Sequence, residues 1–376
     1  MNCMKHNASI IFRSACLGLL GTFLLITVAT GAAPKKGLLK ITRVALDRKV
    51  FNPSEGQKVT LSFEITRQAD VQVVLYDRLG QKVRGFDMPD IQAGRHSVTW
   101  DGYKADDKLP AGDVFLYVIE AKTKDGKKAT YNQAKETGGI EVKTLEYTLD
   151  KETGEVEYVL PKTCMIRLRA GLKDGMFAKT ILDWKPSTAG RHAFTWDGMD
   201  SSGRMYLLKR RDLDLRLTCY TLPANTIITT GAVTAFESAN NPSETKLEDR
   251  DRLWATKGKY FHYKHDPRIC HQPRFKVLFP SSRVKTENND IPIVSGIVPL
   301  RVELDRRDAR HLTNTRFEIM LFVDGVFIYE IEEGSSPFTF NWNTKGYAKG
   351  PHIVTVNLVG YDDHIGIVSR KVIVEK

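Results

Sequence analysis

Helical periodicity is what this sequence lacks. Beyond its N-terminal segment, no stretch of useful length spaces apolar residues three and four apart, as an amphipathic helix requires. The common catalytic signatures are missing too: there is no G-x-S-x-G, no H-E-x-x-H, no Gly-rich phosphate loop and no C-x-x-C. Carboxylate pairs such as Asp106–Asp107 and Asp362–Asp363 are adjacent in sequence, and neighbours on a strand point to opposite faces. No nucleophile–base or acid–base set can be assembled, so the expectation is a protein that is not an enzyme. Cysteine is scarce, at 5 in 376 residues, and only Cys164, Cys219 and Cys270 lie beyond the N-terminal segment. In an oxidising compartment a Cys164–Cys219 bridge leaves Cys270 over, and spacing does not settle the pairing. The 56 Lys and Arg exceed the 45 Asp and Glu for a net charge of +11. That excess is spread out, with short knots such as "LKRRD" (208–212) instead of a basic stripe interleaved with aromatics, so nucleic acid is not an expected partner.

Long hydrophobic runs are equally rare. The one present, "CLGLLGTFLLITVA" (16–29), follows Lys5 and Arg13 and precedes the small residues of "ATGAAP". This is the order of a secretory signal, assigned to residues 1–32. Arg13 occupies a place where a lipoprotein signal has an apolar residue, so no lipid anchor is expected. Left uncleaved, the stretch Ser14–Ala33, about 20 residues, is long enough to span a bilayer and would be the only membrane contact. The expected destination is the periplasm, the cell surface or the medium.

What the sequence does have is a repeated phrase. "AGRHSVTWDG" (93–102) returns as "AGRHAFTWDG" (189–198). In the first copy, strand alternation puts His96, Val98 and Trp100 on one face and Arg95, Ser97 and Thr99 on the other. The second copy keeps the rule with His192, Phe194 and Trp196. Asp101–Gly102 and Asp197–Gly198 then stop each strand, Gly taking positive φ and Asp bonding nearby backbone. Trp100, Asp101, Gly102, Trp196, Asp197 and Gly198 are therefore assigned structural roles, and His96 and His192 are read as strand-start residues. Flanking segments alternate likewise: "ADVQVVLYDRLGQKV" before the first copy and "CMIRLRAGLKDGMFAKT" before the second. Short strands with frequent turn signals predict β-sandwiches.

Together "FNPSEGQKVTLSFEI", "VQVVLYDRLGQKVR", "AGRHSVTWDG" and "LPAGDVFLYVIEA" resemble the Ig-like domain of the flagellar hook-capping protein FlgD. The resemblance covers about residues 50–121 well and 145–222 more loosely, because the second unit lacks the Asn-Pro opening and the Pro-Ala-Gly turn. It implies an Ig-like sandwich and says little about function. Further on, "RFEIMLFVDGVFIYEI" (316–331) is a hairpin candidate around Asp324–Gly325, and "PFTFNWNTKG" repeats the tryptophan device with Trp342. That third unit resembles bacterial Ig-like modules of surface and secreted proteins.

The expected fold is all-β: three Ig-like or FnIII-like β-sandwich domains in tandem after the signal segment. The boundaries are 38–142 and 143–222 for two FlgD-like units, 223–273 for a linker, and 274–376 for a bacterial Ig-like unit. The linker holds the one constellation suited to chemistry. His262, His265, Cys270 and His271 fall close together, and imidazole and thiolate are ligands that Zn, Cu or haem iron favour. Against a metal site stands the presence of a single cluster, and "PRICH" has Pro267 where a c-type haem motif needs its first cysteine.

Three functions stand in order. The first is a non-catalytic, exported scaffold or adhesion protein that binds a protein partner at the cell envelope and carries no cofactor. The second is an accessory to a metal- or haem-containing (cytochrome-type) envelope complex, with the His262–His271 segment as contact. The third is a carbohydrate-binding attachment module using Trp184 or Trp254, the tryptophans outside the repeated core pattern.

Overall fold

The computed structural model describes residues 37–77, 82–103, 113–143, 145–231, 272–285, 291–312, 316–360 and 364–375. Its compact unit Leu38–Lys376 is nearly all strand. The strands before the first tryptophan corner are β1 (Ile41–Leu46), β2 (Val50–Phe51), β3 (Val59–Ile65), β4 (Ala69–Tyr76), β5 (Lys82–Ile91) and β6 (Gly94–Trp100). Then come β7 (Val114–Lys122), β8 (Lys128–Tyr131), β9 (Tyr147–Leu149), β10 (Glu155–Leu160), β11 (Cys164–Leu172), β12 (Phe177–Ser187), β13 (Gly190–Thr195), β14 (Leu213–Thr221) and β15 (Thr226–Thr229). The last group is β16 (Phe275–Leu278), β17 (Arg283–Lys285), β18 (Ile291–Val294), β19 (Ile297–Leu304), β20 (Phe317–Val323), β21 (Val326–Ile331), β22 (Phe338–Asn343), β23 (Gly350–Gly360) and β24 (Ile365–Val374). Among the described residues no helix is long and apolar enough to cross a membrane.

Alternation dictates three cores. In β3, Val59, Leu61, Phe63 and Ile65 are buried while Thr60, Ser62 and Glu64 are not, so one face of the sheet β1-β3-β6 closes a sandwich. It meets Val71, Val73 and Leu75 of β4 and Phe115, Tyr117 and Ile119 of β7. The second core joins β13-β10-β9 to β12-β11-β14 through Val156, Tyr158, Leu160, Ile166, Leu168, Ala170 and Trp196. A third joins β16-β19-β22 to β17-β18-β24-β23-β20-β21 through Leu300, Val302, Ile319, Leu321, Val354, Val356 and Trp342.

Two features differ from the sequence reading. Residues 226–229, placed in the linker, form β15, which runs parallel to β2 and antiparallel to β7. The first sandwich is thus completed by a strand that follows β14 of the second after only a short connection. Asn225 in that connection is fully buried, and its side-chain amide donates to the Tyr117 carbonyl at 2.8 Å. Helix α1 (Arg306–Leu312) fills the loop after β19 and buries Leu312 in the third core. Seven residues make fewer than two turns, too short for periodicity to register.

The sandwiches are packed against one another. Strand β11 is buried along its whole length: Cys164, Ile166, Leu168 and Ala170 face the second core, and Met165 packs with Val114, Ile228, Tyr220 and Leu222 at a seam with the first sandwich. On the other side, Phe322 of β20 joins the second core. Asn357 of β23, 1% exposed, binds the backbone of Phe177 twice, accepting from its N–H at 2.7 Å and donating to its carbonyl at 2.8 Å. A side-chain amide here replaces a missing neighbour strand at the edge of β12.

Replacing Asn357 with Leu keeps the volume and orphans both backbone groups, so unfolding free energy should fall by about 1–3 kcal/mol per group. Urea denaturation of the two proteins side by side checks this.

Candidate functional site

The repeated phrase builds corners. Trp100 ends β6 and buries its ring edge-on to Phe51 (5.6 Å) and Phe115 (5.0 Å), with its indole N–H donating to the Tyr103 carbonyl at 2.8 Å. Trp196 does the same beside Met199, at 3.2 Å. The residue after each tryptophan makes one and the same turn: Asp101 Oδ1 accepts from the Tyr103 N–H (3.1 Å), Asp197 Oδ1 from Met199 (3.0 Å) and Asn343 Oδ1 from Lys345 (3.1 Å). Gly102 at φ +88 has the Pro53 ring and Phe51 where a Cβ would go, and Gly198 at φ +73 has Leu208 within 2.7 Å. These residues sit in turns and core, where their work is architectural.

The histidines of the phrase close turns as well. Nε2 of His96 bonds the Gln92 carbonyl and Nε2 of His192 the Thr188 carbonyl, each at 2.8 Å. His352, two residues after Gly350, repeats this with the Ala348 carbonyl at 2.8 Å and adds Asp324 Oδ2 on Nδ1 at 2.6 Å. Both partners of the His352 ring are acceptors, so the imidazolium suits the site. Burial opposes the charge, but the Asp324 hydrogen bond, the Ala348 carbonyl and the Asp324 charge outweigh it and raise the His352 pKa above its ordinary value. Asp324 in turn accepts from the Ile353 N–H at 2.8 Å, tying the β20–β21 turn to β23.

The remaining candidates separate. His262, His265, Cys270 and His271 lie outside the described residues, as does Trp254. Among the described residues no three His, Cys, Asp or Glu side chains gather to hold a metal ion. Trp184, expected as an exposed ring for sugars, is 5% exposed: it lies in the seam against Tyr220 (5.5 Å), with the Arg167 guanidinium 4.5 Å over its ring. It is a packing residue, because the seam needs apolar area that a surface platform would leave in water. Cys164 and Cys219 are free thiols buried side by side in the second core. The hydrogen bond that Cys219 donates to Cys164, with burial, pushes the Cys219 thiol far up and keeps it protonated.

Surfaces for binding remain. The outer face of β5, β4, β7 and β8 carries an open groove of about 490 Å³. Carboxylates of Asp70, Asp87 and Glu120 line it together with the lysines Lys122 and Lys128. Asp87 already accepts from Gln72 Nε2 (2.6 Å) and Asp70 from the Asp90 N–H (2.9 Å), so much of this polarity is spent within the sheet. The second surface is the strand β21, whose Val326 and Phe327 are exposed.

With these corners and sheets in view, the comparison with known families is decisive for one part of the chain. Residues 49–127 match the FlgD Ig-like domain. Solved structures similar to the chain include FlgD from P. aeruginosa, at 19% identity over 39% of this chain and 96% of that one, with a TM-score of 0.21. Others are the tetra-tandem repeat in the extending region of a large adhesion protein (12% identity, 90% and 74% covered, TM-score 0.19) and a 1.5-MDa bacterial ice-binding adhesin (12%, 89% and 96%, 0.18). At TM-scores this low the structural likenesses carry no argument about function. No curated protein sequence matches the chain. The FlgD-like stretch spans β2 to β7 and includes the first tryptophan corner, but stops well before β15, the strand that completes its sheet here.

Two outcomes test this geometry. Gly102→Ala should destabilise more than Gly126→Ala, because both positions have positive φ but open space surrounds a Cβ only at Gly126. The left-handed backbone alone costs about 1–2 kcal/mol, and thermal unfolding of both variants reads the difference. For His352 the folded pKa lies above the unfolded one, so its contribution is full below the unfolded pKa and is lost as pH rises through the folded value. Stability measured from pH 5 to 9, taken as roughly the imidazole range, should carry a falling component that Asp324→Asn reduces.

Proposed function

We propose that the chain is a non-catalytic, exported interaction scaffold that presents Ig-like sandwiches to a protein partner at the cell envelope. The observation that carries this reading is how its chemistry-bearing residues are used. The repeated His, Asp and Trp residues close turns and fill cores, and among the described residues sheet faces and sheet edges are left facing solvent. Such edges bind extended segments of other proteins through their main chain. The FlgD-like module supports an interaction role without naming the partner.

The domain reading becomes three sandwiches, 38–142, 143–222 and 274–376, with Thr226–Thr229 returned to the first. Packing of the first two through β15 and the Met165 seam makes them a common base for a partner.

Cross-linking the full chain in its own envelope fraction, beside a variant with His262, His265, Cys270 and His271 changed to Ala, tests the proposal. A protein cross-linked equally by both supports the scaffold. Loss of a metal- or haem-containing partner in the variant alone would replace it with the accessory-protein reading.

A further inference from the structure

We infer that β21 (Val326–Ile331) is a docking edge for an extended strand of a different protein, one that is basic in its N-terminal half and apolar in its C-terminal half. This rests on the scaffold reading and gives it a surface and a partner chemistry.

β21 is the last strand of a six-stranded sheet, so one row of its backbone groups faces outward. Several other edges are obstructed. β1 is broken by a register shift around the left-handed Arg43. β5 contains Pro89 and the left-handed Asp90, and β12 contains Pro186 and gives the Phe177 backbone to Asn357. The outer side of the C-terminal end of β14, at Cys219 and Thr221, is taken by backbone bonds with Gly139, Ile140 and Val142. β21 holds neither proline nor lysine, and among the edge strands whose side chains are described it alone exposes large apolar side chains: Val326 at 66% and Phe327 at 53%. Val326 and Phe327 pair in sequence with Val323 and Phe322, and the register then shifts at Ile328. Past it, Tyr329, Glu330 and Ile331 pair regularly with Leu321, Met320 and Ile319. Tyr329 is held from beneath by Phe340 at 4.6 Å, so the edge is ordered before any partner arrives.

Charge selects the occupant. The apolar end of β21 runs into exposed Glu330, Glu332 and Glu333. Arg316 reaches Glu333 at 3.5 Å, and Glu330 and Glu332 make no ion pair among the described residues. A second copy fits poorly: antiparallel pairing sets the glutamates against Val326 and Phe327, and parallel pairing sets them against each other. A foreign strand running antiparallel, with Lys or Arg first and Val, Ile or Phe after, satisfies both halves. The patch also continues an existing contact, since Phe327 meets Phe322 edge-on at 5.7 Å and Phe322 belongs to the second core.

The test uses the full-length chain and a fluorescent peptide, KTKTVTVT, in anisotropy titrations. Saturable binding should weaken by at least about tenfold in Val326→Lys and in Glu330→Lys/Glu332→Lys. The peptide ETETVTVT should prefer the charge-reversed protein, and backbone N-methylation of KTKTVTVT should abolish binding. These side chains are exposed, and thermal unfolding verifies the fold; if Val326→Lys unfolds, the charge-reversed protein and the N-methylated peptide still decide. Absent binding, equal binding by all variants, or indifference to N-methylation overturns the inference. Envelope cross-linking with the charge-reversed variant separates the two readings. A partner held equally by wild type and variant leaves the scaffold and removes β21 as its surface, whereas no partner for the wild type removes the scaffold itself.

Discussion

Buried backbone N–H and C=O groups must be paired, and this chain meets that demand from outside the sandwich in its first two units. The first sandwich receives β15 from the far side of the second, and the edge of β12 receives the side-chain amide of Asn357 from the third. Neither pairing is local, so each couples the stability of one core to another. β11 shows the consequence: with its two faces buried, it serves as core for its own sandwich and as seam for its neighbours.

The tryptophan corner is the complementary local device. One phrase supplies a strand, a large buried ring, and a turn held by the next residue's side chain, and three sandwiches use it with Asp, Asp and Asn. It needs no distant partner, which makes it portable between units of otherwise divergent sequence. The third copy departs in one respect. Among the described residues the buried indole N–H of Trp342 has no hydrogen-bond partner, where Trp100 and Trp196 each reach a backbone carbonyl. Tyr347 packs edge-on against it at 5.2 Å instead.

The proposed scaffold acts through its surfaces. The groove on the first sandwich and the edge of β21 differ in character. In the groove, Asp87 and Asp70 are engaged by their own sheet, whereas on β21 the backbone row and Val326–Phe327 remain in water. An unobstructed edge that also exposes large apolar side chains is a place for another strand.

The amino-acid sequence by itself determined the class and the repeat. Period-two alternation in segments such as "VTLSFEI" and the copied Trp-Asp-Gly corner are local signals, and short-range sterics and turn chemistry read them directly. The Asp324–Gly325 hairpin was legible for that reason, with φ of 53° and 85° at the turn. Tertiary structure decided what depends on contacts distant in sequence. Thr226–Thr229 looks like linker until β7 and β2 offer it backbone partners, and Trp184 looks like a free ring until the seam closes over it. Nothing in a residue's neighbours along the chain encodes which edge will be left unpaired, because that is settled only when every other strand has found its place.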